Sequence, residues 1–121
     1  MFTTLFKTLF SQRAAALLAV ALSAGLIAPA QAADIAAGAE KAKQVCSACH
    51  GLDGLGVAAF PDYPRLAGQH VDYLRQALGQ YQSGARKNPI MGGMAKPLTV
   101  DEIDNVTAYF ASLPGPLKVI R

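Results

Sequence analysis

The sequence predicts an all-α fold on three observations. Apolar residues recur every three to four positions in three segments, as on one face of a helix. Stretches rich in Gly and Pro separate these segments, and no run alternates polar and apolar residues as a half-buried strand does. We therefore expect three main helices joined by irregular loops.

The start of the chain has the parts of a secretory signal. Lys7 and Arg13 charge its first part, an apolar stretch follows, and Ala30-Gln31-Ala32 fits signal-peptidase cleavage. An uncleaved membrane anchor is the alternative, but the apolar stretch is shorter than the roughly 20 residues that span a bilayer. We expect residues 1–32 to be a cleaved signal peptide, residues 33–121 to form one domain, and the protein to be exported to the periplasm.

Charge and size limit the functions of the mature domain. The chain of 121 residues has a net charge of +3, but the predicted signal holds two of its 11 Lys and Arg and none of its 8 Asp and Glu. The mature part is left with nine basic and eight acidic residues, a net charge of +1, and no basic stripe that would indicate nucleic acid. So small a domain has a thin core and usually needs a staple such as a metal or disulfides.

The first predicted helix runs from about Ile35 to Cys49, capped by Asp34, and Gly51 ends it. Its end carries the motif Cys46-Ser47-Ala48-Cys49-His50. Two thiols one helical turn apart, followed by a histidine, suit covalent attachment of a c-type haem: the thiols form thioethers and the imidazole binds iron. A covalently bound haem would supply the additional stabilisation that this small core needs.

A loop, a helix and a second loop follow. Residues 51–66 contain Gly and Pro at intervals that exclude a helical period, and a helix is predicted from about Gln69 to Ser83, with Gly84 as its stop. Residues 86–97 are predicted to be irregular again, because Gly and Pro recur through them.

The last predicted helix opens at a capping box of Thr99 and Glu102, continues through Leu113, and is ended by Pro114. The tail from Gly115 is expected to be surface chain.

The residues alone leave the second axial ligand open. Candidates are Met91 and Met94, in the second loop, and His70. A thioether ligand favours ferrous iron and raises the reduction potential. Methionine is also a common gap-filling core residue, and a histidine near a helix start is more often on the surface. We expect one of the two methionines to bind iron and the other to pack.

Taken together, the mature chain resembles the class I c-type cytochromes: the small bacterial monohaem c553 and c5 proteins and one domain of a dihaem cytochrome c4. The resemblance covers nearly the whole mature chain. It is carried by Gly38 eight residues before Cys46, the haem motif with Gly51, Pro64-Arg65-Leu66-Ala67-Gly68-Gln69, Tyr73-Leu74, Gly84-x-Arg86, Met91 and Ala108-Tyr109-Phe110.

This resemblance implies the small class I cytochrome c fold around one covalently bound haem c and assigns the site. Cys46 and Cys49 would attach the haem, and His50 and Met91 would bind its iron, with Met94 at the apolar position of the family's methionine segment. The carbonyl of Pro64 would accept a hydrogen bond from the His50 ring.

The resemblance also implies contacts outside the iron ligands. Gly38 would let the first helix cross the last one closely at Tyr109. Tyr63, Tyr73 and Tyr81 are expected at the haem-pocket wall or in the core. Arg86 and Lys87 are expected to be solvated loop charges, with pairing to haem propionates as the alternative.

The function implied is that of a periplasmic electron carrier, not an enzyme, in a respiratory or similar redox chain. Its partners would be redox proteins that donate and accept electrons through a small, weak interface. An apolar rim at Ala48 and 57–59 is the expected docking patch. The chain would not insert stably in a membrane once its signal is removed.

Two alternatives are open, and two others do not match the sequence. The chain could be the haem subunit of a larger dehydrogenase or oxidase, or a sensor or peroxidase with five-coordinate iron if Met91 does not bind. A haem-free Cys-x-x-Cys oxidoreductase would need its first cysteine at a helix N-terminus, within a fold that contains strands. A zinc site would need a second ligand pair besides Cys49 and His50.

Overall fold

Five α-helices organise residues 31–116, which are the part of the chain that the computed structural model describes. They are α1 (Ile35–Val45), α2 (Ser47–His50), α3 (Val71–Ser83), α4 (Pro89–Ala95) and α5 (Val100–Ser112). Strands are absent from this part, so the predicted all-α class is confirmed. Nearly all of the predicted signal peptide and the last five residues of the tail lie outside the described residues.

The first helix is interrupted at Cys46, so the predicted single helix through Cys49 is wrong in that detail. The Asp34 carboxylate caps α1, as predicted, by accepting from the backbone N–H groups of the next turn. At the break, the Ser47 hydroxyl donates to the Lys43 carbonyl at 2.8 Å, a side-chain bond that often bends a helix. The short α2 then ends at Gly51, whose φ of +76° favours glycine.

The first and last helices cross at Gly38, as the family resemblance implied. A Cβ atom at Gly38 would overlap the backbone carbonyl of Asn105 in α5 and lie 3.1 Å from the Cβ of Tyr109. Only a residue without a side chain allows so close an approach. Beside this crossing, the fully buried Ala42 packs with Leu74 of α3 and Phe110 of α5 to form the core.

The third and fifth helices follow their sequence signals closely. The end of α3 is set by Gly84, which takes the left-handed conformation with φ of +77°. α5 begins with the predicted capping box: the Thr99 hydroxyl accepts from the Glu102 backbone N–H, and the Glu102 carboxylate accepts from the Thr99 N–H. Each helix starts or ends within two residues of its predicted bound.

The fourth helix was not expected, and the prediction that residues 86–97 are irregular throughout is wrong. Asn88 caps α4, because its side-chain oxygen accepts from the Met91 backbone N–H at 3.0 Å. Pro89 occupies the first turn, where the missing N–H costs no intrahelical hydrogen bond. Pro89 therefore begins a helix instead of preventing one.

Among residues 31–116, none of the helices combines the length and the apolar character that crossing a membrane would require.

Candidate functional site

A cavity of about 480 Å³ brings together the haem motif and the methionine-bearing helix. Cys46, Cys49 and His50 line it at the α1–α2 junction, and Met91 and Met94 line it from α4. The remaining wall is mostly aliphatic and aromatic and comes from α3, α5, the loop that precedes α3 and the segments on either side of α4. Residues that lie far apart in the sequence thus surround one apolar space.

His50 is buried, with 6 % of its surface exposed, and its ring is held by a single backbone group. Its Nδ1 atom lies 2.9 Å from the carbonyl oxygen of Pro64, the contact that the resemblance implied. Because a carbonyl can only accept, Nδ1 carries the hydrogen and Nε2 keeps its lone pair for a metal. This geometry sets both the tautomer and the orientation of the imidazole.

The loop after α2 places the Pro64 carbonyl next to the His50 ring. The Gly56 N–H donates to the His50 carbonyl at 2.7 Å, and the Leu66 N–H donates to the Gly54 carbonyl at 2.8 Å. Gly54 itself has a φ of +68°, and a Cβ there would press against the backbone of the chain at Ala67. The tight turns of this loop therefore return the chain over the imidazole.

The two cysteines do not resemble the reactive pair of a thiol oxidoreductase. Cys46 precedes the single turn of α2, yet burial raises the pKa of its thiol to about 11. A redox-active first cysteine needs the opposite shift, toward the thiolate. Two half-buried thiols beside an apolar cavity instead fit side chains that are consumed in forming thioether bonds.

Both methionines reach the cavity, and they differ in exposure. Met91 is half-buried, whereas 39 % of the Met94 surface is exposed. His70, the third candidate for the second ligand, is exposed at the start of α3 and does not line the cavity. The arrangement therefore favours a methionine thioether over the His70 imidazole as the second iron ligand.

The tyrosines and Arg86 complete the wall of the cavity. Tyr63, Tyr73 and Tyr81 all line it, as expected. The Arg86 guanidinium lies 5.0 Å from the centre of the Tyr81 ring, and a hydrogen bond with Tyr73 raises the pKa of Arg86 above its ordinary value. Lys87 is exposed and is not part of the lining, whereas Arg65 and Arg86 both line the cavity.

The donor set fits haem c and does not fit zinc. Two thiols, one oriented imidazole and a thioether around an apolar cavity are the groups that a covalently bound, six-coordinate haem requires. Within the described part of the chain, no three His, Cys, Asp or Glu side chains come together as a metal-ion site would require.

Comparison with known proteins gives the family. The Cytochrome c family model matches residues 35–114, which include every helix of the structure. The chain belongs to the cytochrome c family. As a member of this family it is a haem c protein, and its five helices form the all-α class I cytochrome fold.

Relatives and solved structures agree with this assignment. The chain is 42 % identical over 84 residues to cytochrome c-554(548) of Halomonas halodenitrificans, covering 67 % of this chain and 98 % of that protein. It is 44 % identical over 79 residues to the thiosulfate dehydrogenase electron acceptor of Stutzerimonas stutzeri, covering 65 % of this chain and 36 % of that one. Cytochrome c4 of Acidithiobacillus ferrooxidans has a TM-score of 0.62 and 34 % identity, and the match covers 71 % of this chain and 53 % of that one.

The thiosulfate dehydrogenase electron acceptor of Thiomonas intermedia is a further relative. The chain spans less than half the length of this protein and of the S. stutzeri acceptor. It is thus similar to one part of these longer proteins.

Two polar side chains that hold α4 were missed at the sequence level. Asn88 had a signal, because an Asn-Pro pair is the usual cap and first residue of a helix. Gln82 hydrogen-bonds the last residue of α4 and the chain just after it, and it had no signal, because nothing local indicates which distant carbonyls an amide will meet.

Proposed function

We propose that the protein is a periplasmic electron carrier, which passes single electrons through a His/Met-ligated haem c in a respiratory or similar redox chain. The observation that carries the proposal is the buried His50, oriented by Pro64 and facing the same cavity as Met91. An iron ligand must be held in a fixed orientation, and the hydrogen bond from Nδ1 to Pro64 does this while leaving Nε2 as the nitrogen for the metal.

Each site residue has a distinct part in this proposal. Cys46 and Cys49 would hold the haem through thioether bonds, and His50, through Nε2, and Met91 would bind its iron. The Pro64 carbonyl holds the imidazole in position. When bound, haem c supplies an iron that alternates between ferrous and ferric states.

The surrounding chain keeps water from the site and leaves part of it accessible. Leu74, Val106 and Phe110 are buried in the cavity wall, so this side is apolar and excludes solvent. Tyr73 and Ile90 also line the cavity but are 47 % and 56 % exposed, so they mark its open side. Electron transfer to a partner needs such an open side and needs no catalytic residue.

Location and domain bounds belong to the same proposal. Residues 1–32 have the pattern of a cleaved signal peptide, and residues 33–121 would be the mature cytochrome domain. In this proposal haem would be attached to both cysteines after export.

The partners proposed are redox proteins, with a dehydrogenase as the donor. Relatives from S. stutzeri and T. intermedia bear the name thiosulfate dehydrogenase electron acceptor, which supports thiosulfate dehydrogenase as the first donor to test. The expected docking patch is exposed at Ala48, Ala58 and Ala59 and half-buried at Val57. The nearby Phe60 is 45 % exposed and extends the patch.

A matched pair of variants tests the iron ligation. Met91→Leu should abolish the weak absorption band at the red end of the ferric spectrum that marks a methionine–iron bond, and should let carbon monoxide bind the ferrous protein. Met94→Leu, made in the same helix, should leave the band intact. The opposite pattern would make Met94 the ligand, and a wild-type protein without the band would support five-coordinate iron and a sensor or peroxidase.

Copurification separates a free carrier from an enzyme subunit. A carrier should be isolated from its source alone, since a weak interface releases its partners. Recovery with a tightly bound dehydrogenase or oxidase subunit would contradict the free-carrier proposal.

A further inference from the structure

Gln82 joins α3 to the end of α4 and to the chain that follows α4. It lies in the last turn of α3, and its Nε2 atom donates to the carbonyl oxygens of Ala95 at 3.0 Å and Leu98 at 2.8 Å. A side-chain amide nitrogen has two hydrogens, so these two bonds use both. Ala95 is fully buried and Leu98 is 9 % exposed, so little water competes for the carbonyls.

The helix that Gln82 supports is weak by itself. α4 has seven residues, two of them glycines, whereas isolated helices shorter than about 12 residues are marginal in water. Side chains from outside hold it at both ends: Asn88 at its start and Gln82 at its last residue, Ala95. The position of α4 therefore depends on these polar contacts more than on helix propensity.

Gln82 bonds the backbone of Ala95, which lies one helical turn from Met91. Met91 and Ala95 are four residues apart, so they lie on neighbouring turns of one helical face, and both line the cavity. Fixing the Ala95 carbonyl against α3 therefore limits the rotation and the withdrawal of the helix that presents the Met91 thioether.

We propose that Gln82 is a positioning residue that keeps Met91 bound to the haem iron. The inference rests on the proposed ligation by His50 and Met91. Gln82 itself does not line the cavity, so it acts through the backbone of α4. Without its two hydrogen bonds, the methionine should leave the iron more often while the rest of the fold persists.

The test measures how readily an added ligand replaces the methionine. Imidazole is mixed with the ferric holoprotein, and its binding rate is followed by absorbance, because binding requires the methionine–iron bond to open. Gln82→Leu removes both donors and keeps high helix propensity. Two lost hydrogen bonds should raise the imidazole-binding rate about 10- to 100-fold and weaken the red band.

Gln76→Leu is the matched control, because Gln76 is exposed on the same helix and does not line the cavity. Its imidazole-binding rate should equal that of the wild type. In a Met91→Leu background, Gln82→Leu should change the rate no further, because the bond that it protects is already gone. A role confined to global stability would lower the unfolding temperature without this dependence on Met91.

The outcomes separate this inference from the proposed function. A wild-type red band with equal imidazole rates in the Gln82→Leu and Gln76→Leu proteins would overturn the role of Gln82 and leave the ligation intact. A wild-type protein that lacks the band and binds imidazole as fast as Met91→Leu would overturn both. If Gln82→Leu does not mature with haem, Gln82→Asn, whose shorter amide cannot reach both carbonyls, gives the same comparison.

Discussion

Gly38→Ala should destabilise the protein, although it replaces a helical glycine with the residue of highest helix propensity. The added methyl carbon would lie 2.6 Å from the carbonyl carbon of Asn105 and overlap its oxygen. It would also lie 3.1 Å from the Cβ of Tyr109. The first two atoms belong to the backbone of α5, so no side-chain rotation relieves the overlap and the helices must move apart.

Two opposing effects set the change in the free energy of unfolding of Gly38→Ala. Replacing glycine by alanine inside a helix stabilises it by about 1 kcal/mol. Overpacking a close contact costs about 1–3 kcal/mol, and the upper end applies at Gly38 because a backbone group must shift. The free energy of unfolding should therefore fall by about 2 kcal/mol.

Urea denaturation of the purified holoprotein measures this change, and the chain offers an internal control. Gly79 lies in the middle of α3, and a Cβ there would meet nothing within 4 Å. Gly79→Ala should therefore raise the free energy of unfolding by about 1 kcal/mol, opposite in sign to Gly38→Ala. If Gly38→Ala, like Gly79→Ala, proved as stable as the wild type or more stable, the close crossing of α1 and α5 would be refuted.

Two further predictions concern helix ends. Hydrogen bonds from Lys41 and from the Thr99 backbone lower the pKa of Glu102. A carboxylate of lowered pKa stabilises the fold at neutral pH and loses that effect as the pH falls through its folded pKa. The difference in urea midpoint between the wild type and Glu102→Gln should therefore be present at pH 7 and shrink below about pH 4; a difference that grows in acid would contradict this. Asn88→Ala should lower the free energy of unfolding by about 1 kcal/mol and make the red band of Met91 fade at a lower temperature; an unchanged melting of that band would show that the cap does not support the helix.

Local signals predicted the long helices well because the deciding groups are close in sequence. The Thr99–Glu102 capping box and the stop at Gly84 act within one turn, so the pattern contains the whole cause. The α4 helix was missed although its start signal is also local. Its two glycines and Pro89 were interpreted as signs of a loop. The pair Asn88-Pro89 is in fact compatible with a helix start, because a proline is tolerated in the first turn.

The sequence predicted the residues that form the site, but it did not predict the Gln82 contact that holds α4. The Cys-x-x-Cys-His motif predicted the haem, and the family resemblance implied the Pro64 contact with His50 and the crossing at Gly38. The contact of Gln82 with the chain after α4 joins residues more than ten positions apart through side-chain geometry. Such a contact depends on how α3 and α4 pack, which no local pattern contains.

The measurement that tests the central claim most directly is the mass of the denatured, exported protein, made in cells with haem-maturation machinery. The wild type should have the mass of the mature polypeptide plus one haem, because thioether bonds to Cys46 and Cys49 survive denaturation. Replacing both cysteines by alanine should leave the mass of the polypeptide alone. A wild-type protein with the mass of the bare polypeptide would contradict covalent haem attachment at these residues.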